Sequence, residues 1–157
     1  MINEDFRIGG GFAYTARFGK PFIVPILPLN YEKDKHSINM VFPIESKYTY
    51  SVGTNEKLKV GFKQSLNGAQ FNITTSIPTD IYIAQLDKIR YTRVNVGGTV
   101  EYQITKLVQF EIYVGTSTRR RYNLLDSSGK TYQFDLNESP FLNFGLTVVL
   151  PKPKKNN

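Results

Sequence analysis

Apolar and polar residues alternate with a period of two through most of this chain. In 6–18 the even positions read Phe6, Ile8, Gly10, Phe12, Tyr14, Ala16 and Phe18. The odd positions read Arg7, Gly9, Gly11, Ala13, Thr15 and Arg17. Further on, Val94, Val96, Val100, Tyr102 and Ile104 stand against Asn95, Gly97, Thr99, Glu101 and Gln103. Val108, Phe110, Ile112 and Val114 oppose Gln109, Glu111, Tyr113 and Gly115, and Leu142, Phe144, Leu146, Val148 and Leu150 interleave with Asn143, Gly145 and Thr147. A period of two puts each set on one face of a β-strand. Helical periodicity is nearly absent, so the chain reads as all-β.

Eight strands are expected, at about 6–18, 21–31, 36–44, 46–53, 57–74, 88–104, 107–122 and 139–150. Several are longer than the usual five or six residues. They match the roughly 9–11 residues with which a tilted strand crosses a bilayer. The turns at 32–35, 54–56 and 105–106 are short, whereas the long connections, 75–87 and 123–138, fall at the other end. Outer-membrane barrels show this habit of short turns at one end and long loops at the other. Pro25, Pro28 and Pro43 make the second and third strands the least regular, because proline cannot donate to a ladder.

Alternation does not say which face is inside; the glycines do. Gly9, Gly11, Gly97, Gly115 and Gly145 all fall on the polar face. On a solvated exterior a strand glycine weakens the strand without packing against anything. Inside an eight-stranded barrel, where the interior is just wide enough for side chains, it leaves room for long charged neighbours. The expectation is therefore an antiparallel up-and-down barrel, polar within and apolar without, complete or the C-terminal part of a larger one. Tyr14, Phe18, Tyr31, Tyr91, Tyr102 and Phe141 lie toward segment ends, as an interfacial girdle requires, although Trp is absent. The opposite assignment gives a soluble, lipocalin-like barrel with an apolar interior.

Composition narrows the chemistry. The 157 residues form one expected domain, ending in a basic Pro/Lys/Asn tail at 151–157. They contain no Cys and one His, His36, which excludes disulfides and His-cluster metal sites. No metal or other cofactor is expected. Net charge is +7, suited to anionic headgroups or lipopolysaccharide phosphates. Nucleic-acid binding is not expected, since the aromatics share the apolar face rather than a basic platform.

Three candidate sites arise. His36 beside Ser37 resembles part of a hydrolase, but neighbours on a strand point to opposite faces and no nucleophile elbow or orienting group is present. Glu101 and Glu111 share the polar face with Arg7, Lys59, Lys63 and Arg93, which reads as an internal charge network rather than a catalytic carboxylate pair. Arg119, Arg120 and Arg121 end the seventh strand and form a candidate anion contact on the outer rim, because guanidinium forks suit phosphate.

The stretch FRIGGGFAYTARFGKPFIVPILPLNYEKDKHSINMVFPIESKYTYSVGTNEKLKVGFK carries a Gly-rich strand ending in GKP, a Pro/Leu strand, a strand ending in FP and a TNEKL turn. It resembles the later part of an uncharacterised family of Gram-negative outer-membrane β-barrel proteins with a domain of unknown function. The resemblance covers roughly residues 6–65 in motif. It implies a location in the bacterial outer membrane, with any signal peptide removed or lost by truncation, and contact with lipid and lipopolysaccharide. The run from Leu150 into PKPKKNN departs from the terminal aromatic of such barrels. The resemblance brings no catalytic residue and no substrate. A non-enzymatic structural or small-solute barrel is the expectation, ahead of the soluble binder and a lipid-modifying enzyme.

Overall fold

A computed structural model describes residues 5–16, 18, 20–78 and 83–148, without the side chains of 75–78 and 83–84. The tail at 151–157 lies outside them. The described residues form one antiparallel up-and-down sheet: β1 (Phe6–Ile8), β2 (Gly11–Thr15), β3 (Phe22–Lys33), β4 (His36–Phe42), β5 (Glu45–Val52), β6 (Leu58–Pro78), β7 (Ile83–Gln103), β8 (Val108–Asp126), β9 (Thr131–Leu136) and β10 (Ser139–Val148). The order is β1-β3-β4-β5-β6-β7-β8-β10, with β2 also on β3 and β9 also on β8.

Ten segments make eight rows of chain. β1 pairs Ile8 with Leu29, and β2 pairs Gly11 with Ile26, so the register runs on without a slip across Gly9 and Gly10. Likewise Leu136 faces Arg120 and Ser139 faces Ser117, one register interrupted at 137–138. The two long connections foreseen at 75–87 and 123–138 are largely strand: β6 and β7 extend toward each other, and β8 folds back as β9. Pro25 lies where β3 pairs only β2, because β4 first meets β3 at Leu27–Phe42. The sheet does not close among the described residues; the free edges of β1/β2 and β10 remain unpaired.

Burial is inverted relative to a water-soluble protein. Among the described residues the buried polar ones are Thr49, Ser51, Ser65, Asn95, Thr99, Glu101, Ser117 and Asp126, whereas only Val24, Leu86 and Tyr113 are buried apolar or aromatic ones. Meanwhile Phe12, Phe144 and Leu146 are 79%, 65% and 69% exposed. Val96, Phe110 and Ile112, on the same apolar face, are half-buried.

The polar face is the concave one. Strands lie about 4.8 Å apart, so β5 and β8 are separated by three such steps. Lys47 on β5 nevertheless reaches Glu111 on β8 at 3.5 Å, and the Tyr113 hydroxyl on β8 donates to the Lys63 carbonyl on β6 at 3.1 Å. Concave-face glycines let the backbones approach closely enough for this curl. A Cβ at Gly97 would stand 2.0 Å from the Val114 carbonyl oxygen, and one at Gly115 2.1 Å from that of Val96. Gly97 and Gly115 are register partners, so they form a seam where β7 and β8 press together. Glycine kinks of this kind are how sheets are bent tightly.

Gly115→Ala is expected to lower the urea midpoint of the folded protein by the equivalent of about 1–3 kcal/mol, the usual cost of forcing atoms into a filled space. Gly98→Ala, on the convex face with no atom closer than 3.8 Å, should be close to neutral. Comparable midpoints for the two variants would remove the seam from this account.

Candidate functional site

The concave face of β5–β8 gathers Glu101, Glu111 and Lys63, three of the charges that the alternation placed together, with Lys47. Glu101 and Glu111 are direct register partners on β7 and β8. Like charges in this position repel unless cations lie between them. Two lysines supply the cations. Lys47 contacts Glu101 Oε1 and lies 3.5 Å from Glu111 Oε1, while Lys63 Nζ donates to the same Glu111 oxygen at 3.2 Å. Lys47 and Lys63 are themselves register partners on β5 and β6. Four charges on four consecutive strands thus form one chain of contacts, Glu101–Lys47–Glu111–Lys63.

Neutral partners complete it. Thr99 Oγ1 donates to Glu111 Oε1 at 3.1 Å and Gln109 Nε2 to Glu101 Oε2 at 2.6 Å. Lys63 also lies 5.2 Å from the centroid of the Tyr113 ring, and Phe141 meets that ring edge-on at 4.7 Å. One step up, the Ser117 hydroxyl donates to Asn95 Oδ1. Beside these groups a polar cavity of about 230 Å³ is lined by Glu45, Lys63, Asn67, Arg93, Glu111 and Asn143, among others.

Of the six residues expected in this network, Lys63, Glu101 and Glu111 come together. Lys59 stands directly opposite Glu101 in register, yet among the described residues it forms no ion pair. Arg7 is exposed on β1 and likewise unpaired, and Arg93 lies higher on the same face. Lys47 was missed. Its signal was present, since Glu45, Lys47, Thr49 and Ser51 alternate with Tyr48, Tyr50 and Val52. What the sequence lacked was the curvature that brings β5 over β8.

The remaining candidates separate. His36 pairs in register with Tyr50 and Ser37 with Thr49, so they occupy opposite faces. His36 Nδ1 is hydrogen-bonded to the Tyr48 hydroxyl at 2.8 Å on the exposed convex face. Among the described residues no group of three or more His, Cys, Asp or Glu side chains could hold a metal ion. Arg119–Arg121 fall on a bulge: Thr92 faces Arg121 and Val94 faces Thr118, so β8 places two residues where β7 places Arg93. Arg119 has φ 48° there.

Above this bulge the two faces exchange character. The convex face now carries Gln70, Arg90 and Arg121, with Arg90 Nε donating to Gln70 Oε1 at 2.7 Å and Arg121 Nε to Asp135 Oδ1 at 2.9 Å. The concave face carries Phe71, Tyr91 and Tyr122, stacked at centroid separations of 6.3 and 5.9 Å. At the hairpin tip, the Ser128 hydroxyl bonded to Asp126, with the Ser128 and Lys130 amides, holds that carboxyl below its usual range. The Arg121 hydrogen bond, with Gln133, lowers Asp135 in the same way.

The site and sheet define a class: an antiparallel β-meander with an ionic concave face and an exposed apolar convex face. Residues 1–149 match the family described as a domain of unknown function (DUF6268), and the chain belongs to that family. No curated protein and no solved structure matches it.

Two outcomes follow. Lys47→Met strands a Glu101 side chain that is only 7% exposed. It should cost about 3–5 kcal/mol if the site is dry and nearer 1 kcal/mol if water enters. Lys59→Met should cost little, and a double-mutant cycle of Lys47 with Glu101 measures the coupling. For Asp126 the folded pKa lies below the unfolded one. The stabilisation is therefore present above the ordinary value of 3.8 and lost as the pH falls through the lower folded value. Protection of the Ser128 and Lys130 amides, taken as the intrinsic exchange rate at each pH divided by the observed rate, should fall only in that acid window.

Proposed function

We propose that this protein is a membrane-spanning β-barrel of the bacterial outer membrane, non-enzymatic, with an interior plugged by ion pairs. Its role is structural or confined to small solutes. The observation that carries the reading is the inverted burial: serine, threonine, asparagine and glutamate inside, phenylalanine, leucine and valine outside. A lipocalin-like binder would need the reverse.

The height of the apolar band supports the same reading. Between the short turns and the bulge, Leu58 to Leu66, Val94 to Tyr102 and Phe110 to Thr118 each span nine positions in register. That is the length of a tilted spanning strand, roughly 9–11 residues. Beyond the bulge the convex face turns polar, as a wall emerging from lipid into water should. In lipid an open sheet edge is untenable, because unpaired amides and carbonyls find no water. The reading therefore requires β10 and β1/β2 to be joined, to each other or through further strands.

The ion-paired interior argues for a plug rather than a channel. An eight-row barrel is just wide enough for its own side chains, and Lys47, Lys63, Glu101, Glu111 and Tyr113 occupy the middle of the concave face. Among the described residues no constellation of nucleophile, base and oxyanion donors accompanies them.

Expressed without detergent, the chain should aggregate, since apolar bands of this size do not stay monomeric in water. Refolded into detergent micelles, it should migrate differently in gels before and after boiling. Because the chain has no Cys, single cysteines can be placed cleanly. A fluorophore at Leu146→Cys or Phe144→Cys should be quenched by brominated lipid, and one at Asn143→Cys should not. A clean monomer in plain buffer, with those apolar positions labelled readily from water, is the contrary result.

A further inference from the structure

At the bulge between β7 and β8 lies a second cavity, which shares Arg93 with the polar cavity of the ion-paired face. Its volume is about 640 Å³, and it is lined by Arg93, Arg119, Arg120 and Arg121 and by one carboxylate, Asp135. That carboxylate is already hydrogen-bonded to Arg121 Nε, and Arg120 Nη1 donates to the Asn137 carbonyl at 3.1 Å. Arg93 Nε is buried without a hydrogen-bond partner. Buried donors are nearly always satisfied, so an orphan among three further guanidiniums calls for an acceptor. Four cations around one cavity with a single, already engaged anion call for that acceptor to be negative.

Apart from Thr92, the rest of the lining is apolar: Phe18, Leu66, Val94 and Leu136. The ligand must therefore carry an anion and an apolar body together. Position narrows it further. The cavity lies at the bulge, where Leu66 and Val94 end the apolar band and Arg121 and Arg90 begin the polar rim. That is the level of lipid headgroups if the chain spans a membrane. Arginine forks bind phosphate through two parallel N–H···O bonds, geometry that lysine cannot offer.

We propose that this cavity is a binding site for the phosphate of an anionic lipid headgroup, with Arg93 and Arg119 supplying free donors and the apolar wall receiving the first part of the acyl chain. The proposal rests on the membrane-spanning reading. The positive φ of Arg119 fits such a role: a strained backbone turns a guanidinium that makes no hydrogen bond or ion pair among the described residues, and such strain is retained where the surroundings impose it.

The test uses the full chain refolded in an uncharged maltoside detergent, titrated with lipid A, with lipid A stripped of both phosphates, and with inorganic phosphate. Binding is read by native mass spectrometry and by the rise in unfolding temperature. Lipid A should bind, more weakly as salt is raised, and the dephosphorylated form should not. Arg93→Gln with Arg119→Gly should weaken lipid A binding roughly tenfold or more, the worth of one or two charge-assisted bonds. Glycine at 119 also suits the backbone there, so the variant should keep its heat-dependent gel shift. Lys130→Gln, at the hairpin tip, should bind as the parent does.

Equal binding of the two lipid forms, or an unchanged affinity in a folded double variant, overturns the site. Inorganic phosphate binding as tightly as lipid A overturns the lipid and leaves a free-anion site. A chain that stays monomeric without detergent and still binds phosphate through Arg93 and Arg119 overturns the membrane reading but not the arginine cavity.

Discussion

Glu101 and Glu111 face each other across neighbouring strands, and the rest of the sheet is arranged so that they can. Two carboxylates in that position need cations, and the cations come from β5 and β6, two or three strands away from the carboxylates they meet. The sheet must therefore curl. Curling presses β7 and β8 together at the glycine seam, where Gly97 and Gly115 admit no side chain. Tyr113 then leans across the seam to the Lys63 carbonyl. Glycines, ion pairs and the tyrosine each presuppose the others.

A concave face this polar leaves the apolar residues no interior to occupy. They face outward in rows that run across the whole sheet, such as Tyr48, Phe62, Gly98, Val114 and Leu142. The rows end at one level, the bulge at Arg93, Arg119 and Arg120. There the strands continue but their faces swap, with Arg90 and Arg121 outside and Tyr91 and Tyr122 inside. Strand length alone does not mark this boundary, since β6 and β7 run on well past it. The change in side-chain environment does.

Much of the architecture was legible in the sequence. The rows from β3 to β8 coincide with the expected strands to within a few residues at their cores, because alternation is enforced by the two different environments of the two faces. Of the five polar-face glycines, Gly97 and Gly115 mark a crowded place on the concave side, where backbones approach, whereas Gly11 and Gly145 have room around them. The outer ends of the long hairpins were harder to read. In 68–72, 88–92 and 119–125 the apolar residues move to the opposite face, and a bulge interrupts the period. Most of these stretches fall within the expected strands at 57–74, 88–104 and 107–122; the residues expected as loop, 75–87 and 123–138, lie beyond the break in the period.

The sequence by itself determined the alternation of each strand, the eight rows though not the ten strands into which they divide, and the presence of Glu101, Glu111 and Lys63 on one side. Those follow from a period of two, a property of each strand taken separately. Only the tertiary structure decided which cation meets which carboxylate. Lys59 is the register neighbour of Glu101, yet Lys47 takes it, because curvature shortens the path across the concave face for residues at mid-height. The same holds for Arg93 and Arg119, far apart in sequence and joined at one cavity by a single extra residue in β8. Register and curvature belong to the sheet as a whole, and no strand carries them alone.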